Sequence, residues 1–171
     1  MLIRREEPAD VAAVRALTEA AFAPRYAPAP QVEAGLLDEL RTDEGWLPAL
    51  SLVAVDGGEV VGHVVCTRGH VGDRPALGLG PLSVRPDRQR SGVGSALMHA
   101  VLGAADALGE PLVLLLGDPD YYSRFGFRPA QELGVVPPVA EWGGAFQARA
   151  LSAYDPALTG VFSYASPFQR L

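Results

Sequence analysis

Two rhythms of apolar and polar positions run along this chain of 171 residues. Ile3 opens a short first strand. Residues 6–22 follow a helical period, with Val11, Val14, Leu17 and Phe22 on the inward face and Pro8 in the first turn. A Pro-rich loop, residues 23–30, leads to a second helix over 31–41 carrying Val32, Leu36, Leu37 and Leu40. Apolar runs at 50–55 and 60–67 flank Asp56-Gly57-Gly58-Glu59, a strong hairpin signal. A strand over 77–84, a Gly-rich turn at 89–94 and a long helix over 91–108 follow; Val93, Leu97, Val101, Ala105 and Leu108 share one helix face. Leu112–Leu116 is wholly apolar and suits a buried strand. Segments 133–139, 146–151 and 163–168 complete the pattern. Alternating strands and helices with an antiparallel hairpin predict an α/β domain with a mixed sheet, spanning 1–171 as one unit.

The turn at 89–94 carries the chemistry. Gly92 and Gly94 lack a Cβ, so backbone can approach a ligand closely there. The first amides of the following helix have no partner inside it and lie at the positive end of its dipole, which suits a phosphate or pyrophosphate. Arg88 and Arg90 flank the turn. A capped helix with glycines for packing would read the same from a Gly-x-Gly alone. Two other phosphate motifs fail. A Walker loop needs Lys, which this chain lacks, and a dinucleotide fingerprint needs Gly where Leu97 stands.

What remains is Gln89-x-x-Gly92-x-Gly94 after a mid-chain strand, and it resembles the pyrophosphate-binding signature of the GNAT superfamily of acetyl-CoA-dependent N-acetyltransferases. A second segment supports the resemblance. Tyr121-Tyr122-Ser123-Arg124-Phe125-Gly126-Phe127 is similar to the pattern that follows the family's fifth strand. Gly126 should end a short helix in the left-handed conformation. Residues 78–129 also resemble one bacterial branch of the family, with Gly-Leu-Gly-Pro-Leu before the turn and Gly-Asp-Pro-x-Tyr-Tyr after the fifth strand.

The resemblance covers residues 2–151 and implies a mixed, mostly antiparallel central sheet flanked by helices, its fourth and fifth strands splayed around the pantetheine arm. Gly80-Pro81 fits a broken ladder at the splay, freeing the amides of Leu82 and Val84. It also implies that acetyl-CoA is the cosubstrate, held by Leu82, Ser83 and Val84 along the arm. The amides of Gln89, Arg90, Ser91, Gly92, Val93, Gly94 and Ser95 would hold the pyrophosphate, with added charge from Arg90 and Arg124. The Leu82 N–H would meet the oxyanion, and Tyr122 would protonate the leaving thiolate. Neighbours on a helix point about 100° apart, so Tyr121 cannot share that role. Base candidates are Glu33, Asp38, Glu39 and Asp118. The acceptor is a small-molecule or peptide amine, with the Pro-rich loop and Tyr26 at its entrance and Trp142 and Phe146 next to it in importance. A non-catalytic acyl-CoA sensor, or a domain using the glycines for another nucleotide, are the alternatives.

Composition adds bounds. Net charge is −6 with a pI of about 5.0, and no basic stripe exists, which argues against nucleic acid as a partner. No apolar run approaches the ~20 residues needed to cross a bilayer. The first residues lack a signal-peptide core. One cysteine, Cys66, permits no internal disulfide; with an apolar context it reads as inert core, and the cytoplasm is the expected compartment. His63, His70 and His99 are far apart in sequence, and no metal is expected. Homodimerisation is left open. All 14 basic residues are Arg, Asn is absent and Ile occurs once, a bias that a GC-rich genome explains.

Overall fold

The computed structural model describes residues 1–26 and 32–170. Strand β1 (Leu2–Arg5) is followed by a 3-10 turn at Pro8–Asp10 and by helices α1 (Val11–Tyr26) and α2 (Glu33–Arg41). Strands β2 (Ser51–Asp56), β3 (Glu59–Val71) and β4 (Arg74–Val84) form a meander. Then come α3 (Val93–Ala107), β5 (Leu112–Leu116) and the short α4 (Pro119–Tyr122). The chain ends with β6 (Arg128–Pro129), β7 (Val135–Val136), β8 (Phe146–Ala150), β9 (Gly160–Ser163) and a 3-10 segment, Ser166–Arg170.

The strands lie in the order β1-β2-β3-β4-β5-β8-β6, and β9 pairs with the far end of β3 and with β7. Neighbours are antiparallel except β4–β5 and β7–β9, so the sheet is mixed and mostly antiparallel, as expected. Helix α3 closes one face, where Val93, Leu97, Met98, Val101 and Ala105 are buried against Val64, Cys66, Leu77 and Val113. Helices α1 and α2 cover Val53 and Val65 on the other, through Val14 and Leu37. Burial pushes the Cys66 thiol far up, which keeps it a protonated core residue.

Several boundaries differ from the periodicity. Helix α1 runs on to Tyr26 although Pro24 has no N–H to donate to the Ala20 carbonyl; the rest of the expected loop, residues 27–30, together with residue 31 and the Tyr26 side chain, lies outside the described residues. Val32 precedes α2 and is exposed, and Leu108 caps α3 and faces solvent. The β3–β4 pair is longer than expected, because Gly72-Asp73 makes a two-residue turn between Val71 and Arg74. Segment 133–139 yields only the two residues of β7, and segment 163–168 splits between β9 and a 3-10 turn.

Candidate active site

Strands β4 and β5 pair at only two positions, Leu77↔Val113 and Gly78↔Leu114. Beyond Gly78 they part. On its other side β4 shifts register against β3, with Val64↔Leu82 followed by Cys66↔Leu79, so Gly80 and Pro81 form the bulge. Past it, Arg85 donates its N–H to Val61 on β3 at 3.0 Å. Strand amides alternate in direction, so those of Leu82 and Val84 face the gap. Their side chains line the cavity that fills it, about 1310 Å³ in volume. Ser83 does not line it: its hydroxyl accepts from Thr18 at 3.1 Å and its backbone lies in the ladder opposite His63 of β3.

The Gly-rich turn closes one end of the cavity. Gly92, at φ 90°, is the N-cap of α3, and the first intrahelical bond runs from Ala96 N–H to the Gly92 carbonyl at 3.0 Å. The amides of Val93, Gly94 and Ser95 therefore precede the helix ladder. Only a residue tolerant of the left-handed region suits Gly92, and Arg90 shares that region at φ 57°. The Val93 side chain is core, and the Ser91 hydroxyl is used on the Arg88 carbonyl, so these two residues offer backbone alone. Gln89 donates its side-chain amide to the Val84 carbonyl at 3.1 Å, tying turn to strand. Gln89, Arg90, Gly92, Gly94 and Ser95 line the cavity. Arg88 is instead paired with Asp56 at the end of β2, at 2.5 Å.

The two tyrosines separate as helix geometry requires. Tyr121 lies over the turn: a Cβ at Gly94 would sit 2.8 Å from its hydroxyl. The guanidinium of Arg124 stacks on its ring at 4.4 Å. Tyr122 lies at the strand gap, packed so closely on Gly117 that a Cβ there would meet Cε2 at 2.4 Å. Asp118 caps α4 by accepting from the Asp120 N–H at 2.9 Å, and Gly126 ends the following 3-10 turn at φ 79°. Burial, aided by Tyr121 and opposed by Arg25, pushes the Tyr122 phenol up to about 12. Tyr122 is thus a neutral donor at pH 7.

Of the carboxylates considered as bases, Glu33 is buried and lines the cavity, and Asp118 lines it too. Asp38 pairs with Arg15 and Arg41, and Glu39 with Arg170. Sequence reading missed the aromatic lining supplied by Phe162, Tyr164 and Phe168. Their spacing in the terminal segment carries no motif; an aromatic at every second or fourth position was the available signal.

A splayed sheet with a phosphate-type turn at its mouth defines the GNAT acetyltransferase architecture. Residues 2–130 match the family described as the acetyltransferase (GNAT) domain, and the chain belongs to it. Among relatives, the uncharacterized N-acetyltransferase YhbS of Escherichia coli K12 is 35% identical over 179 aligned positions, 99% of each chain. The uncharacterized N-acetyltransferase YjhQ of the same strain is 36% identical over 144 positions, 79% of each. Among solved structures, E. coli YhbS in complex with CoA superposes with a TM-score of 0.87 at 32% identity, covering 99% of this chain and 92% of that one. A GNAT family acetyltransferase from Brucella melitensis in complex with acetyl-CoA gives 0.79 at 36% identity, covering 98% and 97%.

Proposed function

We propose that this chain, acting as one domain over 1–171, transfers the acetyl group of acetyl-CoA to a primary amine. One observation carries the reading: a single cavity brings together the free amides at the start of α3, the unpaired edge of β4 and a neutral, half-buried phenol. The pyrophosphate would sit on the amides from Gln89 to Ser95, with Arg90 and Arg124 adding charge. The pantetheine arm would add to the open edge of β4 beside Leu82 and Val84. That two relatives hold CoA or acetyl-CoA supports the choice of cosubstrate.

In the reaction the neutral amine attacks the thioester carbonyl, and a C–N bond forms. The Leu82 N–H receives the oxyanion. As the tetrahedral intermediate collapses, the C–S bond breaks, Tyr122 gives its phenolic proton to the sulfur, and the nitrogen loses a proton to solvent. Solvent then reprotonates the phenolate, leaving amide and free CoA. No metal enters these steps.

Calorimetric titration with acetyl-CoA, followed by thiol release in a panel of amines, tests the reading. Gly94→Val should weaken acetyl-CoA binding, since the new side chain meets the Tyr121 hydroxyl and the approach to the turn. Unchanged affinity in a folded Gly94→Val protein refutes the pyrophosphate assignment. Binding without thiol release from any amine would select the acyl-CoA sensor instead.

A further inference from the structure

The two ends of the cavity differ in chemistry. At the turn stand free amides, Arg90 and Arg124. The opposite end, the acceptor wall, is lined by Phe22 of α1, Leu36 of α2 and a stretch of the C-terminal segment that carries Ser163, Tyr164, Phe168 and Gln169. The charged groups at this end already have partners. Glu33 is engaged within the protein, Asp118 accepts from the Asp120 N–H, and the Arg25 guanidinium rests on the Phe22 ring at 5.5 Å. Recognition there falls to rings and to neutral polar side chains.

Tyr164 is both. Its ring lies on Gly78, where a Cβ would be 2.7 Å away, so it stands where the β4–β5 ladder ends. Phe162 packs edge-on against it at 4.7 Å between centroids, with Phe168 at 4.6 Å and Trp142 at 6.3 Å, which fixes the ring in place. Burial pushes the phenol up, so the hydroxyl is neutral at pH 7. Among the described residues this hydroxyl has no hydrogen-bond partner, yet it is not sealed in the core. Its donor and its acceptor positions stay open on a residue that lines the cavity. The side chains of Ser163 and Gln169 are likewise without a partner among the described residues. A bare hydrocarbon body would strip water from these three groups and pair none of them. A ring with C–H faces and a hydroxylated rim satisfies both kinds of lining.

We propose that the acceptor is a hydroxylated amine of ring size, held by a hydrogen bond between its hydroxyl and the Tyr164 phenol, with Trp142 and Phe168 against its C–H face. This rests on the amine-acetylation reading above and narrows it. Tyr164 is then a positioning residue: it fixes the far side of the acceptor, so that the nitrogen meets the thioester in one orientation. Ser163 and Gln169 receive further hydroxyls where the acceptor carries them.

The test measures kcat/KM for trans-4-aminocyclohexanol and cyclohexylamine at saturating acetyl-CoA, with acetyl-CoA affinity measured in parallel by calorimetry. The two amines share one ring and differ in a hydroxyl that stands across it from the nitrogen. Aminocyclohexanol should be preferred by about tenfold or more, the discrimination that a site built around a hydroxyl exerts on an analogue lacking it. Tyr164→Phe keeps the ring and removes the oxygen. It should cost aminocyclohexanol about tenfold more than it costs cyclohexylamine, chiefly through KM, with acetyl-CoA affinity held. Equal or better use of cyclohexylamine, or equal losses for both amines in a folded Tyr164→Phe protein, overturns the proposal while leaving acetyl transfer standing. So does acetylation of other amines with none of aminocyclohexanol. Failure to bind acetyl-CoA, or binding with no amine acetylated, overturns the parent reading and this one with it.

Discussion

A single methyl group at Gly117 should disable the site without touching any reactive atom. The Cβ of Gly117→Ala would lie 2.4 Å from Cε2 and 2.9 Å from Cδ2 of Tyr122. Carbon atoms prefer about 3.5–4.0 Å, so something must give by about 1 Å. The backbone of Gly117 is pinned on both sides: its N–H donates to the Ala145 carbonyl at 3.0 Å, and its carbonyl accepts from the buried Gln147 amide at 3.0 Å. The ring of Tyr122 must therefore retreat, against Tyr121 and Phe127, whose centroids stand 4.9 and 5.9 Å away. A displacement of about 1 Å costs about 10² in rate when a reacting group is misplaced. Overpacking of this kind also costs about 1–3 kcal/mol of stability. The assay is thiol release at saturating acetyl-CoA, with a melting curve and an acetyl-CoA titration on the same preparation. We expect kcat to fall about 10²-fold while acetyl-CoA affinity stays within about threefold. The double variant with Tyr122→Phe should be no slower than Tyr122→Phe alone, since both remove one function. A folded Gly117→Ala enzyme at full kcat, or fully multiplicative losses in the double variant, refutes Tyr122 as the proton donor.

Three further outcomes follow from the same geometry. Tyr122→Phe should lower kcat by ~10²–10⁴, the range for a lost general acid, whereas Tyr121→Phe, at the turn, should act mainly on acetyl-CoA affinity; thiol-release kinetics separates them. Because the Tyr122 phenol is pushed up to about 12, the acid form persists through ordinary buffers, so kcat should show no falling limb from this group between pH 7 and 10; a limb centred near 8 that vanishes in Tyr122→Phe contradicts that. Burial would raise the Glu6 carboxyl, but hydrogen bonds with His63 and Ser51 and the charge of Arg41 outweigh it and hold it at about 2, below the 4.5 of a free side chain. Its contribution, on the order of 3 kcal/mol at most, is present above pH 4.5 and lost as pH falls toward 2; urea midpoints of wild type and Glu6→Gln should therefore converge in acid.

The sequence revealed the cosubstrate half of the site more fully than the acceptor half, for a physical reason. Binding a pyrophosphate on backbone demands glycines at fixed spacing ahead of a helix, and Gly92 and Gly94 leave that spacing in the text. The splay demands a ladder break, and Gly80-Pro81 records one. Helix geometry says only that Tyr121 and Tyr122 cannot share one role; the family resemblance singles out Tyr122, and nothing in the sequence places Tyr121 over the turn. An acceptor wall has no such constraint. Phe22 reads as an inward helix residue, yet it lines the cavity because the sheet beneath it has parted. Tyr164 and Phe168 acquire meaning only when β9 docks on β3 and brings the terminal segment across Gly78. The four carboxylates weighed as bases looked equivalent until ion pairs with arginines from distant segments turned Asp38 and Glu39 away.

Those same ion pairs explain how the two parts of the acceptor wall are held at one spacing. Helix α2 presents Glu33 and Leu36 from its first turns, and its last residue, Arg41, grips Glu6 through two bonds of 3.0 and 2.7 Å. Glu6 is fixed in turn by the Ser51 hydroxyl of β2, with His63 of β3 3.3 Å away; burial keeps that imidazole below its ordinary pKa, hence neutral at pH 7. The C-terminal segment is fastened to α2 as well, by Arg170 on Glu39 and by Phe168 against Leu36 and Leu40. Ser166 donates to Asp43 just beyond the helix, at 2.7 Å. Glu33 and the Phe168 ring therefore hang from one nine-residue helix, whose far end is tied through Glu6 to Ser51 of β2 and His63 of β3. A shift of that tie would move Glu33 and Phe168 together and leave the Gly92 turn, which is carried by β4 and α3, where it is. The Glu33 side of the cavity and the Gly92 turn are thus carried by different elements.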